Sequence, residues 1–224
     1  MLDAYLKSSI GRKQIVAVTG LLLIGYLIAH LAGNLLIYLG PEAFNHYAEK
    51  LAGLRPGLYA VEFGLLGVFL IHMLFTATLV LDNIRSRPVD YKMKTAQGER
   101  SWATRLMPYT GTAILLFVIW HLLDFTFTDK FGPRSILSDG QSYGLYGVVY
   151  NAFTDPFHST LYIIAMLAIG LHLSHGVESF LQTFGLNNAQ HAITVKEISY
   201  WFAIIITTGY SSIPIYVMIH YYSH

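Results

Sequence analysis

The chain has 224 residues and a formal net charge of +1, from 14 basic and 13 acidic side chains. Hydrophobic residues make up 54% and charged residues 12%, about half the charged share of a soluble domain, and mean hydropathy is +0.48. This balance excludes a water-soluble core of this size, and the near-neutral charge excludes nucleic acid, whose phosphates need a basic face. Cysteine is absent, which rules out disulfides, thiolate-held zinc, iron–sulfur clusters and covalent c-type haem in this chain. The composition predicts an all-α integral membrane protein.

Five apolar runs are each near or above the roughly 20 residues that cross about 30 Å of hydrocarbon as helix. They cover 15–39, 58–81, 106–127, 157–181 and 198–221, and the first is too long for a signal-peptide core. Between the first and second runs, Pro41 to Leu54 has apolar residues at Phe44, Tyr47, Leu51 and Leu54, the spacing of a short interfacial helix ended by Arg55-Pro56-Gly57. The connection from Phe131 to Pro156 is rich in Gly, Tyr and Ser and is expected to be an irregular cap. Pro214 is the one proline expected well inside a helix. No internal repeat or separate soluble domain stands out, so 1–224 reads as a single membrane domain.

Orientation follows from the cations. Lys7, Arg12 and Lys13 precede the first run, and Arg85, Arg87, Lys92, Lys94, Arg100 and Arg105 crowd the connection between the second and third. Lys196 precedes the fifth. Only Lys50, Arg55, Lys130 and Arg134 lie on the other side. The positive-inside rule then puts the N-terminus in the cytoplasm and the C-terminus outside.

The chemistry lies in the histidines. His30, His72, His121 and His172 fall one in each of the first four spans, where an ionisable side chain is costly and marks function. At about 1.5 Å per residue, His30 and His121 fall roughly 4 and 7 Å to the outer side of the midplane. His72 and His172 each fall roughly 4 Å to the inner side. Two levels result, each with histidines from alternate helices of a bundle formed mainly by the first four spans. Imidazoles facing across an apolar slot are what bis-histidine haem ligation requires. His175 shares a face with His172, but at roughly 9 Å inward it matches the depth of His72 less well. Gly20, Gly25, Gly33, Gly64, Gly67, Gly111 and Gly170 offer close backbone approach, either to a macrocycle or to another helix. Arg12, Lys13 and Arg105 are candidate propionate partners or plain positive-inside flanks. His46, His158, His191, His220 and His224 lie in loops or at span ends, where most should be solvated. A purely structural anchor would not explain four buried imidazoles at two levels, but spacing alone leaves open a histidine proton relay or the cytochrome b of another quinone-linked dehydrogenase, hydrogenase or ascorbate-linked reductase.

Several segments narrow this. They are Ala17-Val18-Thr19-Gly20, His30-Leu31-Ala32-Gly33-Asn34, Phe44-Asn45-His46-Tyr47-Ala48, Ile71-His72 and Trp120-His121. The last runs from His172-Leu173-Ser174-His175-Gly176 to Gln182-Thr183-Phe184-Gly185-Leu186-Asn187. Together they resemble the single-chain, five-helix diheme cytochrome b anchor of succinate dehydrogenases and fumarate reductases. The resemblance implies a distal haem b held by His30 and His121 and a proximal haem b held by His72 and His172. It also implies a flavoprotein partner with covalent FAD, an iron–sulfur partner, surrounding membrane lipid, and exchange of electrons with a quinone, commonly menaquinone. The setting would be a bacterial or archaeal cytoplasmic membrane, and the flavoprotein would perform the dicarboxylate chemistry. Some relatives carry an acid just before the fourth-helix ligand, but here that stretch is Ala168-Ile169-Gly170-Leu171. For quinone, which exchanges protons as well as electrons, the nominees are His46, Glu49, Glu62 and Asp124. Glu178 is expected near the inner face, paired with a cation or meeting the iron–sulfur partner.

Overall fold

The computed structural model describes residues 5–6, 8–86, 102–187 and 190–223. Lys7, Arg87, Lys92, Lys94, Arg100 and His224 lie outside the described residues. Among the described residues, five helices are long and apolar enough to cross a membrane. The first, α1, covers Ser9–Asn34 and runs on as a 3-10 turn over Leu35–Leu39. Ser8 caps it, its hydroxyl accepting from Gly11 N at 2.9 Å. Gly40, at φ 90, ends that run in a backbone region that favours glycine, and Pro41 then starts the short helix α2, Pro41–Ala52.

Helix α3 is Gly57–Arg85. Helix α4 is Trp102–His121 and closes with a π turn over Leu122–Thr126, where Phe127 N donates to Leu122 O at 2.9 Å. Helix α6 is Pro156–Thr183, capped by Asp155, and α7 is Ala192–Ser223. These helices extend beyond the apolar runs at most ends, because hydropathy measures the hydrocarbon crossing while hydrogen bonding carries the helix into the polar zone. As a result Pro108, expected at the edge of a span, lies inside α4, as Pro214 lies inside α7.

The cap between α4 and α6 departs from expectation. Residues Gly144–Thr154 form a helix, α5, which follows a 3-10 turn at Pro133–Ser135 and an isolated bridge between Ile136 and Ser142. Its Gly, Tyr and β-branched residues are poor helix formers. Packing overrides this: Val148 is fully buried, and Tyr146, Val149 and Phe153 join Ile37, Phe44, Tyr162, Ile213 and Val217 in one apolar cluster. Asn45 of α2 fixes the start of α5, donating from Nδ2 to Tyr143 O at 2.8 Å and accepting from Tyr146 N at 3.0 Å.

Helix α7 packs closely along α6 and reaches α1. The approach depends on glycines: a Cβ on Gly170 would collide with the Thr207 side chain, and one on Gly209 would lie 2.8 Å from Leu31 Cδ2. Tyr210 Oη donates to Leu27 O at 2.8 Å, tying α7 to α1. Helix α3 leans on α1, touches α4 lightly and buries none of its residues. The space among α1, α3, α4 and α6 is therefore left as an interior cavity.

Candidate functional site

Helices α1 and α4 carry the same pattern, Thr19-Gly20 with His30 and Thr110-Gly111 with His121. From threonine to histidine is eleven residues, three turns plus about 20° of rotation and about 16 Å of rise. Each helix thus presents both residues on one stripe, the threonine nearer the end where α1 begins (the near level) and the histidine toward the other end (the far level). This local correspondence is an equal spacing within a sequence that has no larger internal repeat, and the spacing alone does not reveal the role of the threonines.

At the near level, His72 of α3 meets α1 and His172 of α6 meets α4. His72 Nδ1 is 3.0 Å from Thr19 Oγ1, and His172 Nδ1 is 3.2 Å from Thr110 Oγ1. The glycine beside each threonine leaves room for the ring. A Cβ on Gly20 would lie 3.3 Å from His72 Cε1, and one on Gly111 would lie 3.6 Å from His172 Cε1.

At the far level, His30 and His121 approach each other across the bundle, with ring centroids 5.8 Å apart and planes at 89°. Tyr26 stacks on His30, with centroids 5.2 Å apart at 16°. Phe117, Phe125 and Tyr162 surround His121, whose Nδ1 is buried without a hydrogen-bond partner.

All four histidines line one cavity of about 1700 Å³ with mostly apolar walls. That exceeds the roughly 300–1,000 Å³ of an ordinary small-molecule site. The far pair fits a metal held between two imidazoles, since two bonds of about 2 Å on opposite sides of one ion put the ring centroids roughly 6 Å apart. Among the described residues, no three His, Asp or Glu side chains converge on a bare ion. The donor set therefore suits a macrocycle that brings its own equatorial nitrogens.

No family model and no solved structure matches the chain. Over 175 residues, 78% of this chain and 79% of the relative, it is 25% identical to the succinate dehydrogenase cytochrome b558 subunit of Bacillus subtilis (strain 168). That likeness supports membership of the succinate dehydrogenase cytochrome b anchor family.

The other nominated residues divide. Of the seven glycines, Gly20, Gly33 and Gly111 line the cavity. Gly33 faces the Tyr47 ring, Gly170 serves helix packing, and Gly25, Gly64 and Gly67 face open space. Lys13 and Arg105 line the cavity at the near end. Arg12 is instead engaged by Asp82 of α3, with Nη1 2.6 Å from Oδ2. Glu62 lines the cavity at the far end and pairs with Arg55 at 3.1 Å, while His46 and Glu49 on α2 are exposed and line none of it. His175 Nδ1 lies 4.0 Å from Glu178 Oε2, one turn down α6.

Asp124 is more occupied than a free nominee would be. It lies in the π turn and accepts from Tyr162 Oη at 2.8 Å. His158 Nε2 is 3.1 Å and Arg134 Nη2 3.5 Å from its two oxygens. His158, one of the span-end histidines of which most should be solvated, is stacked on Tyr162 with centroids 4.9 Å apart and packed against Trp120.

Proposed function

We propose that the chain is the diheme cytochrome b membrane anchor of a succinate:quinone or quinol:fumarate oxidoreductase. It carries electrons between a membrane quinone and an iron–sulfur subunit, while a flavoprotein subunit with FAD interconverts succinate and fumarate. The observation that carries this reading is the sorting of four histidines, from four helices, into two levels along one apolar cavity. The relative's name supports the complex. The resemblance of the motifs supports the partners and menaquinone as the quinone.

His30 and His121 hold the far haem b, and His72 and His172 hold the near one. Each bound haem supplies a one-electron carrier whose potential depends on ligands and surroundings. The chain's part is to hold the axial imidazoles, to keep water away with the Phe117, Phe125 and Tyr162 rings, and to stabilise propionates with Lys13 and Arg105. The cation excess around the N-terminus and the α3–α4 connection supports a near level on the cytoplasmic side, where the iron–sulfur subunit would dock. The far level, with Glu62 and Arg55, lies toward the quinone.

The test is the reduced-minus-oxidised spectrum of the purified chain, with haem quantified by pyridine hemochromogen. Two non-covalent b haems per chain are expected. His30→Leu or His121→Leu should remove one, and His72→Leu or His172→Leu the other. A folded, haem-supplied chain that binds none overturns the reading.

A further inference from the structure

The near and far histidines are held by different means. Thr19 and Thr110 are both 7% exposed, so water does not compete for their hydroxyls. Thr19 Oγ1 lies 2.7 Å from Ile15 O and 3.1 Å from Val16 O, and Thr110 Oγ1 lies 3.1 Å from Leu106 O and 3.2 Å from Met107 O. A hydroxyl has one proton and two lone pairs. With its proton directed at a carbonyl of its own helix, the hydroxyl turns a lone pair toward the ring nitrogen, which then donates.

We propose that Thr19 and Thr110 are positioning residues that fix the tautomer of His72 and His172, keeping the proton on Nδ1 and leaving Nε2 bare to bind iron. A hydrogen bond from the distal ring nitrogen fixes ring orientation and raises the basicity of the ligating nitrogen. The far level lacks this device: His30 Nδ1 stands 3.5 Å from Tyr26 Oη, beyond good hydrogen-bond range, and His121 Nδ1 has no hydrogen-bond partner. The far rings are oriented by aromatic packing. The near site is set by hydrogen bonds before ligand arrives, with each Thr-Gly pair supplying the acceptor and the space beside it.

The haem consequences rest on the proposed diheme reading, but the tautomer does not. Thr19→Val and Thr110→Val are nearly isosteric and remove the acceptor, while Thr19→Ser and Thr110→Ser retain it. Long-range 1H–15N spectra of the full chain, labelled at histidine and kept free of haem so that no iron fixes the ring, report which ring nitrogen is protonated. Nδ1–H is expected at His72 and His172 in the parent chain, lost at His72 in Thr19→Val and at His172 in Thr110→Val. Haem affinity at the near site should fall about 10- to 100-fold in the valine variants, and its reduction potential should rise because a less basic ligand favours ferric iron less. The far haem serves as the folding control and should keep both properties, and serine should restore the near site. Nε2–H at His72 or His172 in the parent chain overturns the proposal. So does a valine variant with near-haem affinity within twofold of the parent, equal loss at both levels, or serine no better than valine. A parent chain with no haem would refute the diheme reading, and the 15N spectra would still decide the tautomer.

Discussion

Replacing Asp124 by alanine tests whether the polar cluster beside His121 holds the far end of the bundle together. The π turn places this carboxylate between α4, α6 and the loop that carries Arg134. Alanine removes the acceptor of the 2.8 Å Tyr162 bond, and a buried hydrogen bond to a charged group contributes about 1.5–3 kcal/mol. It also leaves His158 Nε2, 3.1 Å from the carboxylate, without its neighbour. The Arg134 side chain is 43% exposed, so its share is about 0–1 kcal/mol. The expected loss is about 2–4 kcal/mol in denaturant unfolding in micelles. Asparagine retains an oxygen for Tyr162 and should cost about 1 kcal/mol. On the proposed diheme reading, the spectrum of the far haem should broaden in the alanine variant, because Tyr162 also packs on His121. A change below about 0.5 kcal/mol for alanine, or equal losses for both variants, would refute the structural role given to the cluster.

Other consequences concern space and charge. Gly20→Leu places bulk against His72 and should reduce haem to one per chain, whereas Gly25→Leu, which meets nothing within 4 Å, should leave two; hemochromogen assay of both reads the difference. Gly209→Val drives carbon into Leu31 and should cost about 1–3 kcal/mol by overpacking, seen as a lowered unfolding midpoint; an unchanged midpoint would argue against the α1–α7 contact. In the cap, the hydrogen bond from Tyr143 Oη to Asp139, 2.7 Å long, holds that carboxyl below its ordinary 3.8. A depressed folded-state pKa means the bond stabilises above the unfolded pKa and is lost as pH falls through the folded value. A carboxyl 13C titration should therefore give a midpoint under 3.8, moving up in Tyr143→Phe; no movement would remove Tyr143 as the cause.

The five spans, the one-per-helix histidines and the eleven-residue Thr-to-His spacing are properties of the sequence, because hydrocarbon thickness and helical pitch convert residue number directly into depth and face. The preference for His172 over His175 rests on depth alone, since in the fold both line the cavity. Other features depended on which residues the tertiary structure brings together from far along the chain. Thr19 meets His72 across 53 positions and Thr110 meets His172 across 62, contacts set by how neighbouring helices rotate about their axes. Asp124, nominated for quinone, is taken up by Tyr162, His158 and Arg134, since the π turn redirects it toward α6. Arg12, a candidate for propionates, is claimed by Asp82. Residues 144–154 became a helix against their own propensities, because burying Val148 and its neighbours outweighs the local preference. Pitch and polarity act along one segment and can be read from it; the choice of partner is a competition among segments, and only the packed fold decides it.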